Sequence, residues 1–268
     1  MIIDGRAIAA KTIAELKALN KDFAGRRVVG ILVGDAPDSL SFLRQKKKTA
    51  ALLGIDFEIK KIKSSIGVAE LYKKVKKISD DATVAGAIVQ LKIFGYTNEE
   101  TQQILNAIPP EKDIDCLGEE WSRRFYADPL NSKILPPAAS SVRTILKEIC
   151  HCDPPAGGEA ISNFLRGKKA VIYGFGRLVG QPSGAWLRAA GAEIKILRKA
   201  SGLEERRAAL ADADIVVVGV GEPGLVTGAM IKSGAIVIDF GYPAAADAAS
   251  IDARGGAVTH TPGGTGPI

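Results

Sequence analysis

Two spacings of apolar residues alternate along this chain. Behind Asp4, a residue suited to cap a helix, a helical pattern runs through Ile8, Ile13 and Leu16. Val28–Val33 reads as a buried strand, and Pro37, Asp38 and Ser39 open a helix that continues to Leu53. Phe57 and Ile59 alternate as in a strand, with Ile62 near its end, and Leu71, Val75 and Ile78 mark the next helix. Ala85–Leu91 is a buried strand, followed by a helix from Thr97 through Ile104 and Ala107. Strand and helix alternating in units of ~30 residues predict parallel α/β construction. From Ile108 to Pro137 the periodicity fails, and prolines and aspartates predict a long ordered loop or crossover. A helix over Val142–Ile149 leads out of it, and Pro154, Pro155, Gly157 and Gly158 punctuate the next junction. Alternation then resumes. Strands fall at Lys169–Tyr173, Ala192–Leu197, Ile215–Val218 and Ala235–Asp239, and helices at Leu178–Ala190 and Leu203–Ala211. The expected fold is α/β in two domains. Residues 1–137 form an N-terminal α/β substrate domain, and residues 138–268 a C-terminal Rossmann-like dinucleotide-binding domain with a mostly parallel sheet.

Composition narrows the class. The 268 residues are 46% hydrophobic and 25% charged, the balance of a globular protein. No run of 18 apolar residues suggests a membrane span, and the start, with Asp4 and Arg6, lacks the apolar core of a signal peptide. Three cysteines, Cys116, Cys150 and Cys152, argue for a reducing, cytoplasmic setting. The net charge of +6 is spread over both halves, so no nucleic-acid platform is expected. The densest basic stretch, from Lys60 to Lys77, reads as a solvated face or a landing surface for an anion.

Candidate chemistry lies at three places. Between a strand and a helix runs Gly174-Phe175-Gly176-Arg177-Leu178-Val179-Gly180. Its glycines let backbone approach a pyrophosphate at the start of the helix, although G-x-G-x-x-x-G is one residue longer than the usual dinucleotide fingerprint. The following strand ends in Arg198 and Lys199, with no acid to take a ribose 2′-hydroxyl, which favours NADP over NAD. On the helix from Ser39, Leu43, Lys46, Ala50 and Leu53 form one stripe. Lys46 interrupts it, with Phe42 a turn earlier on the same side. A lysine so placed either snorkels or handles protons. Gln90 stands at the carboxyl end of its strand, where ligands of α/β sheets bind. Asp113 and Asp115 flank Ile114 and could serve turn geometry alone. The run Cys150-His151-Cys152 is too tightly spaced to share a tetrahedral metal ion, so no metal is expected.

Over nearly its whole length the chain resembles the bifunctional methylenetetrahydrofolate dehydrogenase/methenyltetrahydrofolate cyclohydrolase family. The likeness rests on VGDAPDSLSFLRQKKKTAALLGI, GAIVQL, IPPEKDID, YGFGRLVGQP, ADIVVVGVGEPG and TPGGTGPI, in that order and spacing. It implies a tetrahydrofolate-binding catalytic domain, an NADP-binding domain, an interdomain cleft and a homodimer. It puts the family's catalytic lysine on Lys46, its lysine-tuning glutamine on Gln90 and its pterin-binding aspartate on Asp115. The cofactor loop falls on Gly174, Phe175, Gly176, Val179 and Gly180, with Arg177 inside it. A residue laid on the cofactor falls on Tyr242, and the closing glycine loop on Gly263 and Gly264.

The chain also departs from the family pattern. Phe42 replaces the tyrosine one turn before the lysine, keeping a ring for stacking without the hydroxyl. Leu91-Lys92-Ile93-Phe94 stands for Leu-Pro-Leu-Pro, and Cys116 for the glycine after the aspartate. Gly174-Phe175-Gly176 stands for Gly-Arg-Ser, and Arg198-Lys199 for His-Ser. Pro136-Pro137-Ala138-Ala139 stands for Pro-Cys-Thr-Pro, and the chain stops at Ile268 where the family continues into a helix.

The expected function is oxidation of 5,10-methylenetetrahydrofolate with NADP, then hydrolysis of the methenyl product to 10-formyltetrahydrofolate. The pterin would lie towards Asp115, with Lys46 handling protons and Gln90 holding it. Two other readings stay open: a non-catalytic homologue binding folate or dinucleotide, and another NADP-dependent dehydrogenase acting on a small carbonyl substrate.

Overall fold

The computed structural model of this chain describes residues 1–19, 23–151 and 157–268, the last of these without the side chains of 157–159. The chain forms two compact units, Ile13–Ala127 and Met1–Thr12 together with Asp128–Ile268.

The Ile13–Ala127 unit is built on three parallel strands, β2 (Arg27–Val33), β3 (Asp56–Ile62) and β4 (Val84–Val89), in the order β3-β2-β4. Central β2 pairs both ways, Val29 standing opposite Glu58 and Ala87. Its Val29, Ile31, Leu32 and Val33 are all buried, the unbroken apolar run that a parallel strand covered on both faces requires. Helix α2 (Pro37–Leu52) seals one face, where Leu43 packs with Leu32, Phe57 and Ile88. Helices α3 (Val68–Asp80) and α4 (Asn98–Leu105) seal the other, where Leu71, Val75 and Ile104 join Val29, Ile31 and Val89. Thr97 starts α4 with a reciprocal capping box to Glu100, and Pro37 occupies the first turn of α2, where its missing N–H costs nothing.

The second unit holds six parallel strands in the order β1-β9-β8-β7-β5-β6. These are β1 (Ile2–Ile3), β5 (Lys169–Tyr173), β6 (Glu193–Leu197), β7 (Ile215–Val218), β8 (Ile236–Asp239) and β9 (Ala257–Thr259). Val171, Tyr173, Val216, Val218, Val237 and Val258 form much of its core. The helices are α6 (Pro137–Cys150), α7 (Gly157–Leu165), α8 (Gly180–Ala189), α9 (Leu203–Asp212) and α10 (Ala248–Ala253). Asp4 caps α1 (Gly5–Ala18), its Oδ1 accepting from the Arg6 and Ala7 amides at 2.9 and 3.2 Å.

Three features differ from the sequence expectation. The compact units do not divide at residue 137. Met1–Thr12 belongs with the C-terminal unit because β1 pairs with β9, Ile2 opposite Val258 and Ile3 opposite Thr259. The stretch expected to be irregular contains a helix, α5 (Glu119–Ala127), which buries Phe125. Helix α7 begins at Gly157, where glycines suggested only a junction. Cys152, the end of the Cys150-His151-Cys152 run, lies outside the described residues. Among the described residues no cluster of three or more His, Cys, Asp or Glu could hold a metal, and no helix is long and apolar enough to cross a membrane.

Candidate active site

In the Ile13–Ala127 unit the sheet and α2 bring two distant residues together. Lys46 leaves α2 one turn after Phe42 and places its Nζ 3.1 and 3.0 Å from the two carboxylate oxygens of Asp115. The lysine that interrupts the apolar stripe therefore does more than snorkel: it is fixed by a bidentate partner. Phe42 stands 58% exposed beside it, an aromatic face that nothing in the fold requires. Lys47 and Lys48 point to solvent.

Asp115 owes its place to a short built turn. Asp113 pairs with Ala87 of β4 as an isolated bridge, and Gly86 has no side chain, so Ile114 can lie on the strand. A methyl on Gly86 would come within 2.9 Å of Ile114 Cγ2. The buried Asp113 carboxylate accepts from the Gly118 amide at 2.7 Å. Burial pushes the Asp113 carboxyl above its ordinary value, against the backbone donors around it. Asp113 is thus turn architecture, and Asp115 is the member of the pair whose carboxylate reaches Lys46. Cys116, next in the chain, adopts φ 58°, where the resembling family has glycine. Burial pushes its thiol up to about 12.

Gln90 follows β4 and hydrogen-bonds its amide nitrogen to the Leu91 carbonyl at 2.9 Å. Its Oε1 is buried without a hydrogen-bond partner, an acceptor left open. Among the described residues no hydrogen bond joins Gln90 to Lys46, so the expected direct hold is replaced by Asp115.

In the other unit the loop between β5 and α8 separates the roles of its glycines. Gly174 has φ 88°, and a methyl on it would meet Val220 at 2.6 Å. A methyl on Gly180 would run into the Gly174 carbonyl and the Phe175 Cα. These two glycines serve the turn and the close approach of helix to strand. Gly176 serves neither. Its backbone is not left-handed, and a methyl there would meet nothing within 4 Å. The protein leaves that space free ahead of the start of α8. Val179 packs towards Gly219.

The exit of β6 lies over the same loop. The Arg198 guanidinium sits 5.4 Å from the Phe175 ring centroid. One helix later, Arg206 lies 5.6 Å from the Tyr173 ring and donates to the Lys199 carbonyl. Arg198 and Lys199 themselves are exposed. Cations and the open space beside Gly176 thus fall on one loop.

Residues 3–115 match the tetrahydrofolate dehydrogenase/cyclohydrolase catalytic domain, and residues 159–268 match the NAD(P)-binding domain of the same family. The chain belongs to the tetrahydrofolate dehydrogenase/cyclohydrolase family. It is 32% identical to the bifunctional protein FolD of Staphylococcus aureus (strain Newman), covering 100% of this chain and 91% of that protein. Among solved structures it is similar to the bifunctional FolD methylenetetrahydrofolate dehydrogenase/cyclohydrolase of Campylobacter jejuni, with TM-score 0.86, 27% identity, and 100% and 93% of the two chains covered. It is also similar to the Trypanosoma brucei methylenetetrahydrofolate dehydrogenase-cyclohydrolase complexed with NADP and an inhibitor, with TM-score 0.81, 28% identity, and 100% and 92% covered.

The loops that present Tyr242 and the Gly263-Gly264 pair share one keystone. The buried Asp239 carboxylate accepts from the amides of Gly241, Ala245 and Ala246 at 2.7, 2.7 and 2.9 Å. Its carbonyl accepts from Thr265 Oγ1 at 3.0 Å. Tyr242 is thereby held out 82% exposed, and Gly263 is set at φ 111°. A methyl on Gly264 would come within 2.8 Å of Thr259 Cβ. Burial raises the Asp239 carboxyl above its ordinary value despite the three donors. In the sequence alone neither Asp239 nor Arg206 stands out. An acid at the end of a buried strand was a usable signal for the first; the second acts through contacts that local pattern does not show.

Proposed function

We propose that this member of the tetrahydrofolate dehydrogenase/cyclohydrolase family oxidises 5,10-methylenetetrahydrofolate to 5,10-methenyltetrahydrofolate with NADP and hydrolyses that product to 10-formyltetrahydrofolate. The observation that carries the reading is the Lys46–Asp115 pair, which joins α2 to the turn after Asp113, with the exposed ring of Phe42 one helical turn from the lysine.

The ammonium of Lys46 has three donors and a carboxylate has about four acceptor positions. Asp115 can therefore orient Nζ and still accept from the N–H groups of a pterin. Phe42 offers its face to that ring. The open Oε1 of Gln90 takes a further donor, from substrate or from Lys46 as it shifts during the reaction. In the hydrolytic step Lys46 moves the proton at Nζ while water adds to the methenyl carbon, and orientation supplies much of the acceleration.

Gly174, Phe175, Gly176, Arg177, Val179 and Gly180 would hold the pyrophosphate side of the dinucleotide, Arg198 and Lys199 its 2′-phosphate, and Tyr242 would lie on it. When bound, NADP supplies the hydride acceptor. The family likeness adds Gly263 and Gly264 to the residues that would bind substrate. A cytoplasmic homodimer feeding formyl groups to purine biosynthesis is the setting we propose from the family likeness; light scattering tests the dimer and cell fractionation the compartment. The deciding assay is absorbance of methenyltetrahydrofolate formed with NADP and with NAD separately. Formation with neither would overturn the reading.

A further inference from the structure

Helix α6 places Arg143 and Lys147 one turn apart on one face, and Arg166, the residue that follows α7, joins them. Together they line a cleft of about 790 Å³ floored by Trp186 of α8, with Asn131, Ser162 and Asn163 at its wall. That volume suits a small metabolite. No residue of the 174–180 loop and neither Arg198 nor Lys199 lines it.

Its electrostatics are one-sided. Every charged side chain in the lining is a cation. Among the described residues none of the three has an ion-pair partner. Glu148, next to Lys147 in sequence, is taken by Lys11 at 3.1 Å, and the Asp128 carboxylate accepts from the Asn131 amide at 3.0 Å without lining the cleft. Arg143 is half-buried, and desolvation alone lowers its pKa. Like charges a turn apart repel, and a desolvated guanidinium without a counter-charge is costly. Both costs fall if an anion sits between them. Trp186 is only 2% exposed, so it shapes the floor and offers no open face for a base to stack on. Recognition would come from charge and from the amide and hydroxyl groups of Asn131, Ser162 and Asn163.

We propose that this cleft binds a phosphate-bearing small molecule with at least two negative charges, separately from the dinucleotide. Isothermal titration of tripolyphosphate into the NADP-saturated protein, at fixed ionic strength, tests it. One saturable site is expected, weakened at least about tenfold in Arg143→Gln and in Lys147→Gln, the scale of a lost charge-assisted hydrogen bond. NADP affinity and melting temperature should be retained. Lys147→Gln carries the test if the more buried Arg143 variant fails to fold. Three results would overturn the proposal: no saturable binding once NADP is bound, equal binding by the parent and both variants, or a dimer that either variant dissociates, which would mean that a second copy covers the cleft.

Discussion

Lys46 Nζ lies 3.0 Å from Asp115 Oδ2, although the two residues belong to a helix and a loop on opposite sides of β4 in the sequence. The pair is only partly buried, its side chains 37% and 20% exposed. Partly exposed ion pairs contribute about 0–1 kcal/mol to stability. Lys46→Ala should therefore abolish hydrolysis of methenyltetrahydrofolate while moving the melting temperature little. Asp115→Asn should weaken folate binding as well as slow hydrolysis. A Lys46→Ala protein that hydrolyses at the parent rate would make this lysine structural.

The glycine loop gives an internal control. Gly176→Ala meets nothing in the protein, so stability should stay within about 0.5 kcal/mol while dinucleotide affinity falls at least about tenfold. Gly180→Ala forces a methyl against backbone and should cost about 1–3 kcal/mol, before any question of binding arises. Thermal melts and cofactor titrations on the two variants separate the effects. Equal cofactor affinity in Gly176→Ala and the parent would remove the pyrophosphate from this loop.

The same loop shows what was legible in the sequence. Gly174, Gly176 and Gly180 stood out because a glycine-rich turn between strand and helix is a local pattern, and buried runs such as Val28–Val33 likewise announced their strands. Lys46 stood out by breaking a stripe. Local pattern failed where an element was too short to show a period: β1 has two residues, β9 three, and their pairing joins the two ends of the chain. Helix α5 was hidden among prolines and polar residues, with Phe125 its one fully buried side chain. The partners of Asp115, Phe175 and Tyr173 were hidden for the same reason, since each contact is long-range.

Arg198 over Phe175 predicts cofactor choice. The guanidinium lies 5.4 Å from the ring centroid and among the described residues has no carboxylate partner, which leaves it for a 2′-phosphate. Arg198→Ala should weaken NADP by about tenfold to a hundredfold, from ~1.5–3 kcal/mol for a charge-assisted hydrogen bond, and leave NAD nearly unchanged. Arg206→Ala should do the same more mildly by freeing the Lys199 carbonyl. Fluorescence titrations with both dinucleotides decide. Equal weakening of the two, or an NAD preference in the parent, would defeat the assignment.

Asp239 predicts a pH signature. Its folded carboxyl titrates above the ordinary 3.8, with burial the main cause. Between 3.8 and that raised value the native state holds a proton that the unfolded chain has lost, so the stability due to Asp239 falls as pH rises through this window. Asp239→Asn cannot titrate and orphans at least one of three amides, at about 1–3 kcal/mol each. The parent's advantage over the variant should therefore be largest near pH 4 and shrink towards neutrality. Urea denaturation of both proteins across that range measures it, and an advantage that grows with pH would reverse the sign.

Phe42 carries the last prediction. Its ring is exposed one helical turn from Lys46, so it can serve as a platform for the pterin but lacks the hydroxyl of the family's tyrosine. Tyr96 does not supply it, since its hydroxyl already donates to the Ile66 carbonyl at 2.7 Å. Folate binding should then survive better than chemistry. Phe42→Tyr should raise kcat by up to about tenfold to a hundredfold, the equivalent of ~1.5–3 kcal/mol for a hydrogen bond to a charged group felt in the transition state, with a smaller change in KM. Because the side chain is exposed, the added oxygen needs no repacking, and the melting temperature should not move. Steady-state rates of both reactions, measured on parent and variant with the same folate, give the split between kcat and KM. A Tyr variant no faster than the parent would place the rate limit elsewhere, with the left-handed Cys116 beside Asp115 the next residue to restore to glycine.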